Sequence, residues 1–361
     1  MIPMKYALIG CGRISASHIR AAKNNELEIV ALCDIDAAKM EDVCTAHGLE
    51  NIKKFTSHTE LLSSIKPDLI AIATESGSHA EIAKDCIRAG INLIIEKPIS
   101  LSMKDAREIV ELSKEYGVKV SACHQNRFNI AIQKARAALE EGRLGKISHG
   151  AITVRWSRSR DYYAQADWRG TWAHDGGTLM NQCIHGFDLL RWMLGDEIEE
   201  VYGVTTNSFH PYIEGEDLGI AVVKFKNGAV ATAEGTTNIY TNDLDTETLC
   251  LYGDKGAVEI GGTAANKVTV WSFKDENDDD HEHRATAEKT TNVYGNGHTS
   301  LYADVIDAIN NDRAPYVDAQ AGMRALEFIL AVYKSRKEGK SVSLPLDDFS
   351  TMEMVGTFDK K

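Results

Sequence analysis

The chain has 361 residues, 43% of them hydrophobic, and a formal net charge of -13. That length favours two domains with cores of ordinary size, and the acidity excludes nucleic acid and anionic membranes as natural partners, so an acidic ligand has to be met by a local cluster of Arg or Lys. The start, Met1 to Gly10, has no basic segment ahead of an apolar one, no apolar run reaches the ~20 residues that span a bilayer, and the seven Cys include no CxxC pair; the expectation is a cytoplasmic protein with reduced thiols.

Lys5 to Ile9 is a short apolar run that leads into Gly10-Cys11-Gly12-Arg13-Ile14-Ser15, after which His18 to Lys23 continues at helical spacing. The pattern reads as strand, tight turn, helix. Such a turn lets backbone N–H groups approach a pyrophosphate at a helix N-terminus, and Ser15, in the place of the third Gly, is small enough for close helix packing. Glu28 to Leu32 reads as a second strand ending in Cys33-Asp34, where a carboxylate accepts hydrogen bonds from ribose hydroxyls and repels a 2′-phosphate. The alternative for Asp34 is a helix N-cap. Taken together, the turn and the acid predict a dinucleotide site with NAD preferred over NADP.

The alternation continues with helices near Ala37 to His47, His79 to Ala89 and Ser102 to Tyr116, and strands at Asp68 to Ala73, Asn92 to Ile95 and Lys119 to Cys123. Alternating strands and helices imply a parallel sheet with crossover helices, whose ligands bind beyond the strand C-termini. Those ends carry Thr74 to His79, Glu96-Lys97-Pro98 and His124 to Arg127. Lys97 follows the apolar Leu93-Ile94-Ile95, which predicts a fixed, partly desolvated ammonium at the nicotinamide end of the crevice.

From about Lys146 the period changes to alternation, in Ala151 to Trp156, Ala221 to Phe225 and Ala229 to Ala233, with hairpin turns at Lys226-Asn227-Gly228 and Gly253 to Gly256. An antiparallel sheet follows. Gly176 to Leu194 reads as one helix, on which Thr178, Asn181, His185 and Asp188 share a face. Polar groups in line on an otherwise apolar helix predict a ligand-facing wall, the alternative being a satisfied structural histidine. Further helices are expected at Tyr302 to Asn310 and Ala321 to Lys334, and an edge segment at Leu344-Pro345-Leu346. The acidic tract Asp275 to His283 reads as a solvated hairpin loop, with metal binding the lesser alternative.

One loop breaks the acidic balance. Between Arg155 and Trp172 stand Arg155, Arg158, Arg160 and Arg169 among Trp156, Tyr162, Tyr163, Trp168 and Trp172. Guanidinium forks clamp phosphates and carboxylates, and aromatic faces stack on a base or sugar ring. The combination suits a sugar nucleotide; an oligomer interface is the alternative.

Gly10 to Ile14, Glu96-Lys97-Pro98 and Gly176-Gly177 followed by Asn181, His185 and Asp188 resemble the glucose-fructose oxidoreductase / inositol dehydrogenase / MocA (Gfo/Idh/MocA) family over nearly the whole chain. Within it, TWAHDGGTLMNQCIHGFDLL with the upstream DYYAQADWRG looks most like the UDP-N-acetylglucosaminuronate 3-dehydrogenases of bacterial surface-polysaccharide pathways. The resemblance implies an α/β chain: an N-terminal NAD-binding Rossmann domain, residues 1–125, with a doubly wound parallel sheet, and a C-terminal α+β domain, residues 126–361, with a mostly antiparallel open sheet. It implies that Lys97 and His185 are catalytic, with Asn181 beside them. The cofactor set is then Gly10, Cys11, Gly12, Arg13, Ile14, Asp34, Thr74, Ser76, His79, Glu96, Lys97, Gln125, Trp168 and Arg169. Substrate falls to Lys97, Arg158, Arg160, Tyr162, Tyr163, Asn181 and His185, and no metal is assigned. The family usually has Asp where this chain has Asn181, and often Thr-Pro-Asn where it has Thr74-Glu75-Ser76. Asn181 cannot act as a base, which leaves His185 or Lys97, and an imidazole with an unperturbed pKa near ~6.5 suits the task at neutral pH.

The expected reaction is hydride transfer from a sugar C–H to NAD, on an anionic sugar nucleotide, in a homo-oligomer (dimer or tetramer). An inositol or free-sugar dehydrogenase, an NAD-dependent glycosidase of the same family and a non-catalytic NAD-sensing protein are the alternatives.

Overall fold

A computed structural model describes residues 3–49, 51–240, 245–290 and 295–359. Two compact units emerge: Met1–His124 with His298–Met323, and Gln125–Gly297 with Arg324–Lys361.

The first unit is built on six parallel strands, β1 (Lys5–Ile9), β2 (Glu28–Cys33), β3 (Lys53–Phe55), β4 (Leu69–Ile72), β5 (Asn92–Ile95) and β6 (Val120–Ala122), in the order β3-β2-β1-β4-β5-β6. Chain direction around the sheet reverses between β1 and β4, so their C-terminal ends form the crevice where such sheets take ligands. β4 is buried at every residue, as a strand covered on both faces must be, and that burial is why it reads as a plain apolar run. The crossover helices begin and end on local chemistry. Asp36 accepts the Ala38 N–H ahead of helix Ala37–His47, which Gly48 closes at φ 60°; Ser102 accepts the Asp105 N–H ahead of Met103–Glu115, each cap contributing about 1 kcal/mol.

The sequence division at residue 125 did not foresee the return of 298–323. Helix His298–Asn310 buries Leu301, Tyr302, Val305 and Ala308. The following segment adds to the edge of the sheet, where the Ala122 N–H and the Ser121 hydroxyl both donate to the Val317 carbonyl, at 3.1 and 2.9 Å.

The second unit holds an eight-stranded sheet. Its strands are β7 (Ile147–Arg155), β8 (Ile198–Thr206), β9 (Leu218–Phe225), β10 (Val230–Thr236), β11 (Thr246–Gly253), β12 (Gly256–Gly261), β13 (Lys267–Phe273) and β14 (Val342–Ser343), in the order β13-β12-β11-β7-β10-β9-β8-β14. All pairings are antiparallel except β7 with β10. Burial alternates along β9; helix Ile184–Leu194, buried along its whole length, packs on β7 and β11 of this sheet. Gly186 lets that helix approach closely, since a Cβ there would stand 2.9 Å from the Ile152 and Val154 side chains. Each of Phe187, Leu190 and Met193 contributes roughly 1.5–3 kcal/mol by leaving water. Tyr202, Val204, Ile220, Val222 and Val230 stay exposed on the opposite face. Both expected hairpins are present, joining β9 to β10 and β11 to β12, and β14 lies at the sheet edge just before Leu344.

The acidic tract is exposed along most of its length, as expected, and departs from a solvated hairpin loop at Asp280. Asp280 opens the short helix Asp280–Arg284 and is buried, accepting from Arg143 Nη1 and Nη2 at 2.9 and 2.8 Å and from the Trp271 indole at 2.7 Å.

Candidate active site

In the first unit the glycine turn is shaped by contacts. Gly10 has φ +100° and a Cβ on it would fall 2.4 Å from the Ala73 carbonyl carbon, so no other residue fits. Gly12 faces the opposite situation, with nothing within 4 Å of an added Cβ; this open approach to the start of helix Ser15–Asn24 fits a dinucleotide pyrophosphate. Ser15 is buried with its hydroxyl on the Gly12 carbonyl at 2.6 Å. Asp34 ties β2 to the turn, accepting the Cys11 N–H at 2.7 Å and the Asp36 N–H at 2.9 Å. The Cys11 amide is thus committed to Asp34 rather than to a phosphate, and its thiol is buried, with a pKa that burial pushes up to about 12. Arg13 is exposed, and Ile14 stands at the N-cap position without a side-chain hydrogen bond to the helix.

At the ends of β4 and β5 two expected cofactor residues turn inward. His79 is buried, its Nδ1 2.8 Å from the Pro98 carbonyl and its Nε2 3.2 Å from the Thr74 carbonyl, so it ties the two strand-end loops together; burial pushes its pKa down. Glu96 directs its carboxylate to His18 Nε2 at 3.0 Å and to its neighbour's amide, Lys97 N–H, at 3.2 Å. Thr74 accepts the Ser78 hydroxyl at 2.8 Å, and Ser76 starts the turn Ser76–Ser78. Lys97 itself is half-buried.

In the second unit the expected single helix Gly176–Leu194 is divided. Gly176 and Gly177 lie at φ +81° and +94°, so helical geometry cannot begin before Thr178. A π turn, Leu179–Cys183, then leads into Ile184–Leu194, a feature concentrated at functional sites. The four-residue polar wall divides with it. Thr178 meets the Thr237 hydroxyl at 3.1 Å. Asn181, half-buried, donates to Asp175, whose other oxygen accepts the Gly170 N–H at 2.6 Å. His185 lies beside Gln125, 3.5 Å between Nε2 atoms. Asp188 faces no ligand: fully buried, it accepts from Arg127 Nε and Nη2 at 2.7 and 2.6 Å and from Arg191 Nη2 at 2.8 Å. That ion cluster is internal, and it corrects the reading of Asp188 as part of the wall.

Glu216 was not singled out by the sequence. It is buried, accepting the Leu179 N–H at 2.8 Å and the Tyr333 hydroxyl at 2.7 Å, and burial pushes its pKa up to about 8. The folded protein therefore holds a proton here that the unfolded chain, with an ordinary carboxyl near ~4.3, releases. Stability from this group is full below about pH 4 and is lost as pH rises through about 8, at up to ~1.4 kcal/mol per pH unit. Calorimetric melting of wild type and Glu216→Gln at about pH 6 and about pH 9 should show a smaller drop in the variant; equal drops would mean Glu216 titrates normally.

The basic loop is partly self-neutralised. Arg155 pairs with Glu234 at 2.7 and 2.8 Å, and Arg158 with Asp245 at 2.7 Å. Arg158 also stands over Trp156 and Tyr162, at 4.8 and 5.4 Å from the ring centres. Arg169 packs over Tyr162 and Trp168, each at 4.5 Å, and donates to the Tyr162 hydroxyl at 2.7 Å. Tyr163, a stacking candidate from sequence, is buried against His210 and Tyr212 with its hydroxyl 3.1 Å from Thr237, which leaves Tyr162. Arg160 is exposed, 5.8 Å over the Tyr212 ring, with no acidic partner among the described residues. Tyr212 also lines a cleft of about 610 Å³.

An oxidoreductase-family NAD-binding Rossmann-fold model (GFO_IDH_MocA) matches residues 4–124, and the model of the same family's C-terminal alpha/beta domain matches residues 136–344. Among solved structures, the WlbA dehydrogenase from Bordetella pertussis, crystallised with NADH and UDP-GlcNAcA, is similar with 32% identity and a TM-score of 0.86, covering 96% of this chain and 100% of that one. Myo-inositol 2-dehydrogenase of Thermotoga maritima is 24% identical over 348 residues, 94% of this chain and 98% of that protein. D-apiose dehydrogenase of Paraburkholderia graminis is 25% identical over 351 residues, 94% of this chain and 89% of that protein.

Proposed function

Because the chain belongs to the Gfo/Idh/MocA oxidoreductase family and is an NAD-dependent dehydrogenase acting on CH–OH groups of sugars or polyols, we propose that its substrate is a UDP-N-acetylhexosaminuronate oxidised at C3, in surface-polysaccharide sugar-nucleotide biosynthesis. One observation carries the anionic substrate: Arg160 stays exposed and without an acidic partner among the described residues, beside the Tyr162–Arg169–Trp168 stack, on a chain of net charge -13. A diphosphate and a uronate carboxylate need such a cluster on a protein this acidic. The likeness to WlbA, which binds UDP-GlcNAcA, supports the same reading.

NAD supplies the hydride acceptor when bound on the glycine turn. The residues then divide the remaining work. Lys97 stabilises the alkoxide that develops as the C–H bond breaks. His185 accepts the hydroxyl proton, so that the products are a ketone, NADH and one proton. Asn181, held by Asp175, orients the hydroxyl without taking its proton. Arg160 is assigned to the anionic groups and Tyr162 to stacking, while Arg158, paired with Asp245 at 2.7 Å, holds the loop beside them.

The test is direct: NADH formation with UDP-N-acetylglucosaminuronate, with myo-inositol and with free glucose, and mass spectrometry of the oxidised product. Hydrogen bonds to charged groups are worth ~1.5–3 kcal/mol, so Arg160→Ala should raise the substrate KM about tenfold or more while the NAD Kd is unchanged. Added salt should act in the same direction. Efficient turnover of inositol or glucose with no response to the UDP-sugar would sink the proposal in favour of the simpler dehydrogenase. The chain is further proposed to form a homo-oligomer through the exposed face around Val204, Ile220 and Val222; a monomer by light scattering would dismiss it.

A further inference from the structure

Behind Lys97 lies a polar cluster that the reaction scheme above does not use. In the first unit, His18 on helix Ser15–Asn24, Glu96 after β5, and His298 and Tyr302 on helix His298–Asn310 meet with all four side chains buried. Their contacts form a chain. The Tyr6 hydroxyl lies 2.9 Å from that of Tyr302, which lies 2.7 Å from His18 Nδ1; His18 Nε2 is 3.0 Å from Glu96 Oε1, and Glu96 Oε2 accepts the Lys97 N–H at 3.2 Å. A neutral His18 satisfies every link, with Tyr6 donating to Tyr302, Tyr302 to Nδ1 and Nε2–H to the carboxylate.

Burial opposes a charge on Glu96, yet His18 and His298, whose Nε2 is 3.6 Å from Oε1, hold its pKa well below the usual carboxylate range. A hydrogen bond from a backbone amide to such an anion is about twice as strong as a neutral one. Ligand atoms of His18, Glu96, Cys123 and His298 also lie within 4.8 Å of one another, a spacing that a metal site shares. The direct His18–Glu96 bond and a Cys123 thiol whose pKa burial pushes well up favour the hydrogen-bonded arrangement.

We propose that Glu96, oriented by His18, is a positioning residue that clamps the backbone of Lys97 and ties it to the helix that follows the glycine turn. The clamp gains its catalytic meaning from the reading of Lys97 as the reacting cation. It accounts for a carboxylate buried one residue from Lys97: one oxygen meets the imidazole and the other the lysine amide.

Two readouts on the full-length protein test it, one of them independent of turnover. Hydrogen exchange of the segment containing Lys97, measured without NAD, should be about tenfold faster in the near-isosteric Glu96→Gln and in His18→Leu. With NAD and UDP-N-acetylglucosaminuronate, kcat should fall about tenfold to a hundredfold in both, while KM and the NAD Kd change less than about threefold. His18→Gln, whose amide N–H can reach the carboxylate, should recover part of the loss. If His18→Leu does not fold, Tyr302→Phe removes only the hydroxyl that orients His18 and should show a smaller change of the same kind. Unchanged exchange at Lys97, a loss confined to the NAD Kd, or one equivalent of zinc in the purified protein would each overturn the clamp. Should Lys97→Met keep full turnover, the reading of Lys97 fails by itself, and the exchange measurement still decides whether the clamp exists.

Discussion

Lys97→Met is expected to lower kcat by about 10²–10³-fold, the loss found when one preorganised donor to a developing oxyanion is removed, while the NAD Kd stays within about threefold. Met keeps most of the length and apolar stem of Lys, and position 97 is only half-buried, so the change removes a charge with little loss of packing. What disappears is an interaction that strengthens as the C–O bond gains alkoxide character. Such a loss falls on the chemical step and not on dinucleotide binding. Stopped-flow NADH formation reads the first quantity and isothermal titration the second. A variant within about threefold of wild-type kcat would remove Lys97 from the chemistry.

The first unit was legible because its physics is local. Buried parallel strands appear as apolar runs, and Asp36, Ser102 and Gly48 mark helix ends in the sequence itself; the sequence strands β1, β4 and β5 stand within a residue of where they fold. The return of helix His298–Asn310 left no such trace. Its buried Leu301, Val305 and Ala308 show an apolar face without saying where it docks; the docking is marked by the Tyr302 hydroxyl on His18 and the Val317 carbonyl on Ser121, polar contacts more than a hundred residues apart in the chain, and no periodicity reports them.

The polar helix face shows a different limit. Spacing of three and four residues placed Asn181, His185 and Asp188 in line, but it cannot say whether a carboxylate meets a ligand or a guanidinium. Arg127 and Arg191 decide that for Asp188. Likewise, counting Arg in the loop overstated its free charge, because Glu234 and Asp245 reach two of them from elsewhere in the sheet region. Asp175, in the Asp-Gly-Gly run before the helix, carries no periodic signal of its own, yet it is the carboxylate that accepts from Asn181 and from the Gly170 N–H.

His185→Asn separates proton transfer from hydride transfer and should lower kcat by about 10²–10⁴-fold, the range for loss of a positioned general base. Asn keeps a polar group beside Gln125, whose Nε2 lies 3.5 Å from the imidazole, so a hydrogen-bonding side chain remains there while the proton acceptor is gone. The distinguishing result is the pH dependence. Wild-type kcat/KM should rise with pH as the imidazole loses its proton; the variant should lose that limb and depend instead on hydroxide or buffer, so added imidazole should restore part of its turnover by entering the space the ring vacated. Lys97→Met offers no such rescue by imidazole, since the cation it lacks stabilises charge instead of removing a proton. Full activity in His185→Asn with an unchanged pH profile would move the base to Lys97 or to water, because Asn181 can donate and accept hydrogen bonds but cannot carry the proton away.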